Sequence, residues 1–183
     1  INFDAHLDVR PLDHGLTSGT PFYRLLSQNP KAFHFIEVGI QPQCNSKAHR
    51  EWCEAQGGEI ITSEQISLSG ILKPLKKSLL KLKNHPCFIS VDIDGFSSAY
   101  APGCSQSWPI GFSPADFFST FDFLFQQMNV KGLGVYEVSP PLDHQPLTSR
   151  LAALILYRRL SIHSRRDQIR SHRGQKSKRV RKR

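Results

Sequence analysis

The chain has 183 residues, 39% of them hydrophobic, which is enough for one domain with a core of its own. No run of eighteen or more apolar residues occurs, so no membrane-spanning helix is expected, and the start shows neither the basic region nor the cleavage site of a signal peptide. The formal charge of +9 is unevenly spread: residues 158–183 hold twelve Lys/Arg against one Asp, and residues 1–157 hold twelve Lys/Arg against fourteen Asp/Glu. A slightly acidic body does not point to a nucleic-acid-binding domain.

Residues 1–6 read as an apolar strand that turns polar at its end. Asp4, His6 and Asp8 stand two residues apart, and in an extended backbone such positions project to one side. Two carboxylates and an imidazole are then expected to meet, and like charges that close are costly without a cation between them. A divalent metal is the simplest such cation. A chain that begins with Ile, inside a strand, is read as starting part-way into a longer protein.

Residues 9–20 carry Pro11, Gly15 and Gly19 and read as a loop, a common place for substrate contacts when it follows a strand end. Pro21 suits a first helical position with Thr20 as cap, and Phe22, Leu25 and Leu26 form an apolar face. Residues 33–40 read as a strand, with His34 and Glu37 expected at its edge or end. Ser46 is expected to cap a helix that Gly57-Gly58 ends. Glu59 to Thr62 reads as a short strand, and residues 64–83 as helix broken near Gly70 and Pro74.

Residues 87–95 repeat the opening pattern: an apolar strand ending in acids spaced by two, Asp92 and Asp94. Functional groups in parallel α/β sheets gather at the carboxyl ends of strands. Four Asp and one His there suit two dications such as Mn²⁺. A long loop, 96–111, follows. Ser113-Pro114-Ala115-Asp116 is a strong helix start, and the helix is expected to run to about Gln127. Residues 130–138 read as a strand with another acid, Glu137, at its end. Thr148 or Ser149 is expected to cap a last helix from Arg150 to about Ile162. From Ser161 the chain is polar and basic, and residues 161–183 are expected to be a disordered tail or at most an extension of that helix.

Strand and helix alternate throughout, which predicts an α/β fold with a mainly parallel sheet covered by helices on both faces. There is no Gly-rich phosphate loop and no nucleophile elbow. Cys44, His49 and Cys53 resemble half of a zinc site, but no second ligand pair follows at finger spacing. Four scattered cysteines without a CxxC pair suit a reducing compartment, and a cytoplasmic protein is expected.

Asp4-Ala5-His6-Leu7-Asp8, Ser90-Val91-Asp92-Ile93-Asp94 and Glu137-Val138-Ser139-Pro140 together resemble the arginase/agmatinase/formimidoylglutamase (ureohydrolase) family, in its motif order and with about its spacing. The resemblance covers residues 1–160 and stops at the tail. Asp8-Val9-Arg10 and Ser18-Gly19-Thr20-Pro21-Phe22 look most like formimidoylglutamase: arginases tend to have Asn where Arg10 stands, and arginases and agmatinases usually have His where Ser18 stands. The resemblance implies a three-layer arginase-like domain lacking its first strands, and hydrolysis of a linear amidine, first of all N-formimidoyl-L-glutamate to L-glutamate and formamide.

It also implies two Mn²⁺ ions, bridged by Asp4 and Asp92, with Asp8 completing one shell and His6 and Asp94 the other. Asp94 would relay a proton, Glu137 would pair with the amidinium, and Arg10 and Ser18 would contact the substrate. His14 does not align with the family's loop His and is expected to face solvent. The family carries one more His ligand in a Gly-rich motif that would precede residue 1, so these residues are expected to hold one ion better than two and to turn over poorly. The alternatives are another ureohydrolase activity, of agmatinase, arginase or guanidinobutyrase type, and an inactive remnant of the family. A nucleic-acid binder working through the basic tail ranks third. The expected partner is a small amidine, with a homo-oligomer left open.

Overall fold

Apolar runs rich in Val, Ile and Phe form five strands: β1 (Asn2–Phe3), β2 (Ile36–Ile40), β3 (Glu59–Thr62), β4 (Pro86–Asp92) and β5 (Asn129–Tyr136). Six α-helices connect or follow them: α1 (Pro21–Gln28), α2 (Lys47–Ala55), α3 (Ser63–Ser69), α4 (Leu72–Leu82), α5 (Pro114–Gln127) and α6 (Leu147–Val180). This computed structural model describes residues 1–29 and 32–180, with side chains through residue 164.

The strands form one sheet in the order β3-β2-β1-β4-β5, and every neighbouring pair is parallel. The chain steps outward from β1 to β3, then returns across to β4 and steps outward again to β5. The order therefore reverses between β1 and β4, and such a switch point opens a crevice at the strands' carboxyl ends.

Two hydrophobic clusters cover the two faces. The larger joins Phe3, Val38, Ile61, Ile89 and Val91 of the sheet to Ile66 of α3, Leu75 and Leu79 of α4, Phe117, Phe121 and Phe125 of α5, and Leu151 and Ile155 of α6. The smaller joins Phe35 and Ile40 to Leu26 of α1 and Cys53 of α2. The three-layer α/β arrangement with a parallel sheet is thus as expected from the alternation of elements. In the larger cluster Phe3, Phe96, Phe112 and Phe117 meet mostly edge to face, with ring centroids 4.6–6.2 Å apart.

Several boundaries differ from the sequence expectation. The regular ladder of β1 stops at Phe3, although Asp4 N still donates to Val38 O at 2.9 Å and Gln41 N to Ala5 O at 3.0 Å. Pro74 does not break a helix: it lies in the first turn of α4, where its missing N–H costs nothing, and the break falls at Gly70, which adopts φ +72°. Glu37 is neither at an edge nor at an end. It sits inside β2, between two other strands, fully buried.

Ser46 and Ser113 cap α2 and α5 as expected, accepting from His49 N and Asp116 N. Thr20 precedes α1 but turns its hydroxyl back onto Thr17 O. α6 begins at Leu147, not at Arg150, and its first N–H groups are satisfied from outside the helix: Asp143 accepts from Thr148 N at 3.1 Å and from Ser149 N at 2.7 Å. The backbone of α6 continues past Ile162 to Val180, whereas the tail's side chains from 165 onward and residues 181–183 lie outside the described residues.

Candidate metal centre

The register that pairs Phe3 with Val91 sets Asp4 beside Asp92, one residue past the last β1 pair. The register that pairs Asp92 with Tyr136 sets Glu137 one residue past the end of β5. Three acids from three strand ends are thereby brought to the switch point by backbone pairing. Asp4, Asp8, Ser18, Asp92, Tyr136 and Glu137 line one cleft of about 350 Å³.

Strand alternation alone does not produce this convergence. Asp4, His6 and Asp8 all lie past the end of β1, on a chain that has left the extended conformation. Asp94 likewise sits in a 3-10 turn, Ile93–Gly95, and not on β4. The turns are held by backbone N–H groups that donate to the carboxylates: His6 N to Asp4 Oδ1 at 2.6 Å, Ala5 N to Asp94 Oδ1 at 3.2 Å, and Asp94 N to Asp92 Oδ1 at 3.0 Å. Asn45 clamps the same exit, accepting from Leu7 N and donating to Ala5 O, both at 2.8 Å.

Among the described residues, two that are not glycine have positive φ: Asp8 at +50° and Glu137 at +61°. Left-handed backbone at such residues costs roughly 1–3 kcal/mol and persists where the surroundings impose it, commonly at functional sites. Both are acids singled out from the sequence, and both line the cleft. Gly39 and Gly95 permit the close approach of neighbouring loops. A Cβ on Gly39 would lie 3.0 Å from Asp4 O and 2.6 Å from the Phe112 ring, and one on Gly95 would lie 3.2 Å from Asp4 Cα.

His6 turns to the far side of Asp4, with Nδ1 2.9 Å from Asp94 Oδ2 and 3.6 Å from Asp4 Oδ1. Asp4, His6 and Asp94 each offer a ligand atom, and all three atoms lie within 4.8 Å of one another. Asp8 and Asp92 face Asp4 from the cleft side. Arg10 stays at the rim, exposed and packed against Gly19, with its charge felt by Asp8. His14 is exposed in a 3-10 turn, as expected. Cys53 is buried in the smaller core and Cys44 and His49 form no metal-ligand set with it among the described residues.

Without a counter-charge, the cluster holds on to protons. Burial, then the Asp4 and Asp94 charges, push Asp92 up to about 9, and burial with the Asp4 charge pushes Asp8 up to about 8. Burial raises Asp4 to about 6 against the opposing hydrogen bonds from His6. Burial would lower His6, but hydrogen bonds to Asp4 and Asp94 outweigh it and raise the imidazole to about 11. Each shift has the same meaning: the site favours added positive charge. Oxygen donors with one imidazole suit a hard or borderline dication, so the residues present fit such an ion.

The residues that the sequence reading missed lie directly behind this cluster. Asn2 and Glu37 are buried polar residues at paired positions of β1 and β2. A polar residue inside an otherwise apolar buried strand is the available signal, and for Glu37 the local pattern predicts only an edge or a strand end.

The arginase family profile matches residues 1–161, and the chain belongs to the arginase family. Within it, the chain is similar to the formimidoylglutamase of Bacillus subtilis (strain 168), with 38% identity over 160 residues, which are 85% of this chain and 50% of that protein. The crystal structure of formimidoylglutamase from Bacillus subtilis superposes with a TM-score of 0.81 at 34% identity, covering 89% of this chain and 52% of that one. Trypanosoma cruzi formiminoglutamase, solved with Mn²⁺, superposes with a TM-score of 0.76 at 26% identity, covering 86% of this chain and 53% of that one. The chain thus spans about half the length of the relatives it matches.

Proposed function

We propose that this chain carries the strand-end catalytic residues of a manganese-dependent hydrolase of linear amidines, with N-formimidoyl-L-glutamate as the first substrate and L-glutamate and formamide as products. The observation that supports it best is the meeting of Asp4, Asp8, Asp92 and Glu137 on one cleft, with His6 and Asp94 paired at its back. The similarity to formimidoylglutamases favours this amidine over arginine or agmatine.

In this reading Asp4, His6, Asp8, Asp92 and Asp94 would hold manganese. Bound there, the metal supplies a water of lowered pKa as nucleophile and charge stabilisation for the reacting carbon. The chain's own residues do the rest. Glu137 would accept the planar amidinium through two parallel hydrogen bonds, which would orient the carbon within the cleft. Its strained backbone keeps the carboxylate turned to the cleft. Asp94, 2.9 Å from His6 Nδ1, takes the nucleophile's proton and passes it to the departing nitrogen. Ser18 contacts the substrate from the loop before α1, and Arg10 at the rim takes a substrate carboxylate by its planar fork.

A reducing compartment, the cytoplasm, suits the four free thiols. Among the described residues no helix is long and apolar enough to cross a membrane. The test is an assay with added Mn²⁺ across formimidoylglutamate, arginine, agmatine and guanidinobutyrate. Turnover of formimidoylglutamate alone, lost in Glu137→Gln, is the expected result. Preference for a guanidine would move the chain to another branch of the family, and no turnover with any of the four would overturn the enzyme reading for these residues.

A further inference from the structure

Behind the proposed metal ligands, two buried polar side chains form a chain that ends on Asp4. The Asn2 amide uses both of its hydrogens: Nδ2 donates to Asp4 Oδ2 at 3.1 Å and to Glu37 Oε2 at 2.9 Å. Asn2 is 1% exposed and Glu37 0%. Among the described residues Glu37 Oε1 is a buried side-chain oxygen without a hydrogen-bond partner, and the positive charge that Glu37 feels is the amino group of Ile1. Burying such a group is costly. Its one specific contact is the Asn2 amide.

We propose that Asn2, anchored by Glu37, is a positioning residue that sets the rotation of the Asp4 carboxylate, so that Asp4 presents one oxygen to each side of the metal centre. The inference rests on the metal-site reading above. A carboxylate turns freely about its last bond unless both oxygens are tied. His6 N ties Oδ1 at 2.6 Å and the Asn2 amide ties Oδ2. Each oxygen accepts one protein hydrogen bond and keeps a further lone pair for a cation. Glu37 holds the amide from the other side. Because the amide donates through the same nitrogen to two acceptors, its plane cannot turn without losing one of them. The β1–β2 register, which pairs Asn2 with Glu37, builds the brace into the sheet itself.

Outer partners of this kind typically change metal affinity 10–100-fold when removed. The experiment is Mn²⁺ titration calorimetry on the full chain, with thermal unfolding of each metal-free protein measured alongside. Asn2→Leu, close in volume and without an amide, is expected to bind Mn²⁺ about 10–100-fold more weakly than the unaltered chain. Glu37→Gln keeps an oxygen for the Asn2 amide and is expected to bind within about twofold of the unaltered chain, whereas Glu37→Leu weakens binding about tenfold.

A purely structural role would move the unfolding midpoints and leave the Mn²⁺ affinities alike, and that result overturns the brace. Equal weakening in Glu37→Gln and Glu37→Leu also overturns it, since the charge of Glu37 would then be what matters. Should Asn2→Leu fail to fold, the Glu37 pair decides by the same criterion. Failure of the unaltered chain to bind Mn²⁺ overturns the metal-site reading and the brace together, while tight binding unaffected by these substitutions removes the brace alone.

Discussion

Burial holds the protons of Asp4, Asp8 and Asp92 above the ordinary carboxylate range, and the charges of neighbouring carboxylates add to it. In the metal-free protein, Asp8 and Asp92 are protonated when folded but ionised when unfolded between the ordinary carboxylate value of 3.8 and about 8–9. The folded state binds more protons there, so stability falls as pH rises through that window. His6, raised to about 11, adds in the same direction: its contribution is full below the unfolded value of 6.5 and is lost as pH climbs. Urea unfolding in chelator at pH 5, 7 and 9 is expected to show a steady fall, and excess Mn²⁺ is expected to cancel or reverse it, because the ion replaces the protons.

The same argument gives opposite signs for Asp92→Asn. Removing one carboxylate relieves repulsion, so at pH 9 the metal-free variant is expected to be more stable than the parent by about 1.4 kcal/mol, the worth of one pKa unit. Its Mn²⁺ affinity should fall by about 100-fold or more, as for loss of a ligand. A variant that lost both stability and affinity would place Asp92 among the structural residues.

The elements bring these residues together through their ends. β1 contributes two ladder residues and then the irregular exit that carries Asp4, His6 and Asp8. The long loop after Asp94 is tied to the opposite side of the cleft: Ser139 N donates to Gly103 O at 2.8 Å, and Gly103 N donates to Thr148 Oγ1 at 2.7 Å. Asp143 stands at the centre of this junction, so close that a Cβ on Gly103 would lie 2.4 Å from its own. Through Thr148 N and Ser149 N it also supplies the start of α6. Further along, Arg158 of α6 grips Asp122 of α5 with both nitrogens of its fork. Asp143→Ala is expected to cost about 1–2 kcal/mol, the upper range for a helix cap, measured as a lower urea midpoint at unchanged slope. Because the junction lies just after Glu137, substrate affinity should weaken more than Mn²⁺ affinity.

For the molecule as a whole, the proposed metal binding would be coupled to folding. The crevice forms where strand order reverses between β1 and β4, so the proposed ligands come from segments nearly ninety residues apart. They do not meet in the unfolded chain, and an ion that needs them all binds only the folded state. At a free Mn²⁺ concentration of a hundred times its dissociation constant, stability is expected to rise by about 2.7 kcal/mol. For a chain of this length that is a thermal shift of ~5–10 °C, readable by calorimetry. A shift near zero would mean that the cluster does not hold the ion.

Much of this was written in the order of residues. Period and punctuation marked the strands, the capped helices and the parallel α/β class, because local propensity and burial agree in those segments. The acid pairs stood out because four carboxylates at strand ends have no packing reason to be there. Three features depended on long-range pairing and could not be read from local pattern. The convergence of Asp4, His6 and Asp8 comes from a turn held by Asp4 itself and by the distant Asp94 and Asn45, not from the alternation of an extended strand. Asp143 starts α6 from four residues before it, across a loop closed by Gly103. Glu37, a misplaced polar residue on any local reading, gains its meaning from Asn2, thirty-five residues earlier and one strand over. The physical reason is common to all three: hydrogen bonds made by buried polar groups are set by which backbone segments pair, and pairing is a property of the folded sheet.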